Sequence, residues 1–95
     1  MIHVLGELAN KDLAAFIGVF ATAGAKTRAH HGCLGTELYS VAGDEQRVMI
    51  LFIWESEDAF HAFTVDPAVK ENMVSGGMIH PPRFTVLNKV GEFPS

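Results

Sequence analysis

Five histidines, one tryptophan, one tyrosine and one cysteine carry most of the chemistry open to this chain. Imidazole titrates near neutral pH and is the natural general base among them. His3 alternates with Ile2 and Val4. If those two face one layer of a strand, His3, Leu5 and Glu7 face the other, a base beside an orienting carboxylate; the plainer alternative is a histidine at a solvated edge or in an interface. His61 follows Phe60 in a stretch with helical spacing, off its inward stripe. It reads as an acid/base at a cavity mouth or as solvated surface. Tyr39 can donate a hydrogen bond to a ligand or pack in an interface. His80 and Arg83 flank Pro81-Pro82, a stiff loop that could close over a ligand and present a cation to a phenolate or carboxylate, or simply cross the surface. Trp54 can stack on a flat substrate or hold a strand end in the core.

His30, His31 and Cys33 lie together in sequence. Adjacent histidines do not share a helix face, and the ligand spacings of structural zinc sites are absent, so no metal is expected. The helix dipole favours a C-terminal histidine in any case, and Cys33 reads as a small buried apolar residue. The sequence holds no phosphate loop, nucleophile elbow or dinucleotide fingerprint.

The elements that must position these groups follow the order strand, helix, strand, strand, helix, strand. Residues 1–8 read as the first strand. Asn10 can cap a helix running to about residue 30, with Leu13, Phe16, Ile17 and Phe20 at i, i+3, i+4 and i+7 on its inner face. Gly18 and Gly24 weaken that helix, which suggests close packing at both, and Gly32 can stop it. Residues 33–41 and 47–54 pair as a hairpin around a turn at 42–45. Ser56 can cap the second helix, with Glu57 and Asp58 at its positive end and Phe60 and Phe63 inward. Asp66-Pro67 interrupts it and restarts a helix whose inner face is Val69 and Met73. His80-Pro81-Pro82 leads into a last strand over 83–90. The order βαββαβ predicts an α+β, ferredoxin-like fold, with four strands in one antiparallel sheet and the helices on one face.

Ninety-five residues make one domain, 1–95, and 48 % hydrophobic with 19 % charged residues describes an ordinary folded chain. The formal net charge of −4, with seven scattered basic residues, argues against nucleic acid or anionic membranes as partners. One cysteine allows no internal disulfide. No basic region precedes an apolar run at the N-terminus, and no apolar stretch approaches the roughly 20 residues of a membrane span. A cytoplasmic protein is the expectation.

Residues 48–54, Val-Met-Ile-Leu-Phe-Ile-Trp, contain no polar residue. A half-exposed antiparallel strand should alternate apolar with polar, and helices on one side cover only one face. A second copy of the chain is the simplest cover for the other, so a homodimer is expected.

Gly32-Cys33-Leu34 opening the second strand, Trp54-Glu55-Ser56-Glu57-Asp58-Ala59-Phe60 where the third strand enters the second helix, and Asp66-Pro67 after it resemble the antibiotic biosynthesis monooxygenase family of dimeric α/β barrels. The resemblance spans nearly the whole chain. It implies two sheets packed face to face, and a small apolar cavity between sheet and helices in each subunit. It also implies cofactor-free oxidation of quinols or polyketide phenols among the family's activities, beside haem degradation and a sugar isomerisation. Many members carry a Glu two residues before the Trp and a His nine after it, where this chain has Phe52 and Phe63. The haem-degrading branch carries a Trp, an axial His and an Asn where this chain has Phe63, Met73 and Leu5, which speaks against haem. That alignment also makes the Leu5 face the cavity face, bringing His3 and Glu7 to the ligand.

The reading that results is a cofactor-independent monooxygenase. A quinol or polyketide-like aromatic lies among Ile50, Phe52, Trp54, Phe60 and Phe63, His3 or His61 acts as base, and Arg83 or Tyr39 holds the anion. The alternative is a non-catalytic small-ligand-binding or accessory dimer of the same fold, favoured by the apolar residues at 52, 63 and 73.

Overall fold

A computed structural model describes all 95 residues, Met1–Ser95. The strands are β1 (Ile2–Asn10), β2 (Cys33–Val41), β3 (Asp44–Trp54) and β4 (Met78–Leu87), and the helices are α1 (Leu13–Ala21), α2 (Ala23–His30), α3 (Glu57–Thr64) and α4 (Pro67–Ser75). All strand pairings are antiparallel, in the order β2-β3-β1-β4. This is the ferredoxin-like arrangement, with each half's helical part split in two. No helix is long and apolar enough to cross a membrane.

The alternation of β3 divides the sheet. Val48, Ile50, Phe52 and Trp54 are buried, and with Val4 and Leu8 of β1 they form one core with Phe16, Phe60, Phe63 and Val69 from the helices. Met49, Leu51 and Ile53 point the other way, opposite Glu7, Leu5 and His3 in the β1–β3 register. The inner face is therefore that of Val4, Gly6 and Leu8. The expectation that Leu5, His3 and Glu7 look into the cavity is corrected: period-two alternation sends them to the face without helices. Gly6 is part of this inner face by necessity, since a Cβ there would stand 3.1 Å from the Phe84 ring.

Three helices begin on side-chain caps: Asp12 accepts from Ala15 N at 3.0 Å, Ser56 from Ala59 N at 3.1 Å, and Asp66 from Ala68 N at 2.9 Å. Asp12 replaces the expected Asn10 because β1 continues through Asn10, which is wholly buried and donates its Nδ2 to the Asp12 carbonyl at 2.7 Å. The expected single helix to residue 30 breaks at Thr22 (φ −114°, ψ −91°), whose hydroxyl bonds back to the Gly18 carbonyl at 2.7 Å. Such back-bonding bends helices. Leu13, Phe16 and Phe20 form the inner face of α1; against expectation Ile17 is 46 % exposed, and Gly18 meets nothing, where close packing was expected. The chain turns out of α2 at Gly32, just after the His31 cap, and its φ of +84° suits glycine.

β4 also differs from expectation. Strand pairing already begins at Met78, so His80, Pro81 and Pro82 lie in the strand rather than in a loop before it. Proline donates nothing to a ladder, but β4 is an edge strand, and register shifts fall between Glu7 and Asn10 on its β1 partner. Edges and bulges are where a sheet tolerates proline.

Candidate functional site

Between the helices and the inner face lies a cavity of about 50 Å³. Leu8, Ile50, Phe52 and Phe84 form its floor on the sheet. Phe16, Val19 and Phe20 of α1, Phe63 of α3, and Val69 and Met73 of α4 form its walls. Ten of its fourteen lining residues are apolar, and the others, Gly24, Thr27, Arg28 and Asn72, come from α2 and α4. A dry cavity of roughly 150 Å³ holds a benzene ring, so a ring enters this one only if a wall yields. α2 has no buried residue of its own, which makes it the wall least anchored by apolar packing.

Arg28 is the unusual group. Its guanidinium carbon stands 3.8 Å from the centroid of the Phe20 ring. The chain's two ion pairs are His31–Asp66 and Lys89–Glu92, so Arg28 has no carboxylate of its own. Burial lowers its pKa from the ordinary value, with a Coulombic contribution from Cys33 opposing that; arginine nevertheless stays cationic. Gly24 gives the guanidinium room, for a Cβ there would lie 3.1 Å from Arg28 Nη1. Beside it, Asn72 Nδ2 donates to Thr27 Oγ1 at 3.3 Å and Thr27 Oγ1 to the Ala23 carbonyl at 3.1 Å, while the side-chain Oδ1 of Asn72 has no partner in the protein. A second tie between α2 and α4 runs from His31 Nε2 to Asp66 Oδ2 at 2.7 Å. That hydrogen bond, then the one from Ala68 N, holds the Asp66 carboxyl below its usual value.

The structure gathers only part of the expected site. Ile50, Phe52 and Phe63 line the cavity. Trp54 and Phe60 lie behind it, with the Trp54 ring 4.7 Å from Phe63 and 5.6 Å from Phe60, and Trp54 has no exposed surface. Its indole Nε1 is buried without a partner. His61 is exposed on α3, its ring 6.0 Å from Phe60, and contributes nothing to the cavity wall. His3, Tyr39 and Arg83 belong to the other face of the sheet: Tyr39 is opposite Met49, and Arg83 opposite Glu7. The Tyr39 hydroxyl donates to Glu37 Oε2 at 3.0 Å, and this raises its pKa. His3 edges a wide open groove of about 510 Å³ on that face, with Glu37, Leu51, Ile53 and Lys89. Of the sequence's candidate metal ligands, His31 is bound to Asp66 and the Cys33 thiol contacts the Gly35 carbonyl at 3.4 Å.

Arg28, Thr27 and Asn72 were not among the sequence candidates. A signal for two of them exists, since Phe20, Gly24, Thr27 and Arg28 continue one helical stripe at i, i+4, i+7 and i+8. The run of apolar residues hides it by ending at Ala25.

Residues 1–73 match the family model of the antibiotic biosynthesis monooxygenases. Among solved structures, SnoaB of Streptomyces nogalater, a cofactor-independent oxygenase, superposes with a TM-score of 0.74 at 16 % identity, over 99 % of this chain and 96 % of its own. A Bordetella bronchiseptica protein provisionally described as an antibiotic biosynthesis monooxygenase gives 0.78 at 21 % identity, over 94 % and 96 %. One from Caulobacter crescentus, described in the same way, gives 0.74 at 25 %, over 95 % and 90 %. No curated protein matches the sequence.

Proposed function

The chain belongs to the antibiotic biosynthesis monooxygenase family, and on that premise we propose that it binds a small, largely apolar aromatic molecule in the cavity and oxygenates it without a cofactor, as a homodimer. The observation that carries the reading is the cavity, apolar on every side except where α2 and α4 meet. Most binding sites for small molecules are built this way, with a few polar groups fixing orientation. A ring hydroxyl there donates to the open side-chain Oδ1 of Asn72, and its proton leaves to solvent at the polar end. The electron-rich ring then reacts with O₂. A quinol becomes a hydroxyquinone: one oxygen atom enters the ring, the other leaves as water, and the four electrons come from the substrate. SnoaB, with the same fold, is an oxygenase that needs no cofactor, which supports the reaction class.

Oxygen uptake against a panel of hydroquinones tests this. The expected result is uptake of one O₂ per quinol, lowered in Asn72→Leu and unchanged in His3→Ala and His61→Ala, whose side chains lie outside the cavity. No uptake with any quinol would overturn the catalytic step. A second reading, non-catalytic binding, then takes its place, and it has its own support: no histidine or carboxylate lines the cavity to act as a base.

A further inference from the structure

A cation facing an apolar cavity is costly unless something compensates it. Charges withdrawn from water are ordinarily paired; Arg28 is partly buried, with an aromatic face as its partner and no anion. A cation–π contact offsets only part of the lost hydration. The guanidinium donors form a planar fork suited to one chemical group above others, a carboxylate taken bidentately.

We propose that the aromatic ligand of this cavity also carries a carboxylate, paired with Arg28, while its ring lies toward Phe52 and Phe63. This rests on the reading that the cavity holds a ligand, and adds the ligand's charge and the residue that selects it. Thr27 and Asn72 stand next to Arg28 on the same rim and tie α2 to α4 at 3.3 Å, and the Phe20 ring 3.8 Å away places the guanidinium at the cavity's edge. Burial lowers the Arg28 pKa, which agrees with a desolvated group lacking a counter-ion.

The test is calorimetric titration with benzoate and with its neutral counterpart benzyl alcohol, on the wild type, Arg28→Met and Arg28→Lys. Methyl NMR shifts at Met73 report that binding occurs in the cavity. Benzoate is expected to bind the wild type about tenfold or more tighter than benzyl alcohol, with the advantage lost in Arg28→Met and partly kept in Arg28→Lys, which retains charge without the fork. Arg28→Met is also expected to melt higher than the wild type, since an uncompensated charge is removed; a higher melting temperature shows that any lost binding is not lost folding. Equal affinity for the two probes overturns the inference while the cavity reading stands. Benzoate binding that survives Arg28→Met, or that leaves Met73 unshifted, overturns it as well. If neither probe binds, the inference and the cavity reading fall together. Preference for 4-nitrophenolate over benzoate replaces the carboxylate class with phenols and sinks the proposal as stated.

Discussion

Single residues here are decided by direction more than by type. Arg83 and Arg28 are the same residue, yet Arg83 is sent away from the helices by strand alternation, and Arg28 is brought to the cavity by a helical stripe. Position in the pattern was readable for Trp54, Phe60 and Phe63, and all three are buried. It was not readable for His3, because the face of β1 that meets the helices is fixed by what packs on it, and Gly6 on that face advertises nothing until the Phe84 ring covers it. Gly32 is the residue whose backbone the sequence identified best. Its φ is +84°, and an added Cβ would stand 2.8 Å from Glu55 Oε2. Gly32→Ala is expected to lose about 1–2 kcal/mol from the left-handed conformation alone. The loss should appear as a melting temperature lower by roughly 4–8 °C for each kcal/mol in a domain of this size. An unchanged melting curve would mean that the α2–β2 junction relaxes freely.

At the scale of elements, order was legible and continuity was not. Strand–helix–strand–strand–helix–strand follows from periodicity and turn residues, and the Ser56 and Asp66 caps stand where they were expected. The break at Thr22 and the prolines within β4 depend on a side-chain hydroxyl bonding backward and on an open sheet edge, neither of which a hydrophobic pattern encodes. Asp66 shows one side chain serving two elements. It caps α4 through Oδ1 and holds the end of α2 through Oδ2 and His31. Its carboxyl is held below the ordinary value near 3.8, first by the His31 hydrogen bond and then by Ala68 N. A depressed carboxyl stabilises the fold above its unfolded pKa and loses that contribution as pH falls through the folded value. Asp66→Asn keeps a good cap and removes the charge. The variant is expected to be less stable than the wild type at pH 6, and the gap to be narrower at about pH 3, below the ordinary carboxyl value. Denaturant melts at the two pH values measure it, and a gap that is the same at both would make the latch independent of ionisation.

For the whole molecule, the outer face of the sheet governs association. Met49, Leu51 and Ile53 run down its middle, with Leu5 beside them and Leu87 at the flank. Leu51 and Leu87 are each 37 % exposed. Glu7, Glu37, Tyr39 and Arg83 surround this centre on the same face. An apolar centre within a polar rim is the anatomy of a protein interface, and the same fold in a second copy presents the same patch across a two-fold axis. The wide groove beside His3 lies on this face, so in such a dimer it is contact surface rather than a second ligand site. Leu51→Lys puts a charge at the centre of the patch. It costs a monomer little, because the position is already open to water. In a dimer it buries two unpaired ammonium groups, each a penalty of several kcal/mol. The wild type is therefore expected to sediment at twice 10.3 kDa with a melting temperature that rises with concentration. Leu51→Lys is expected to sediment as a folded particle of 10.3 kDa whose melting temperature does not depend on concentration. A wild-type chain that is monomeric at micromolar concentration would show that the outer face is stable in water; a variant that still dimerises would move the interface away from β3.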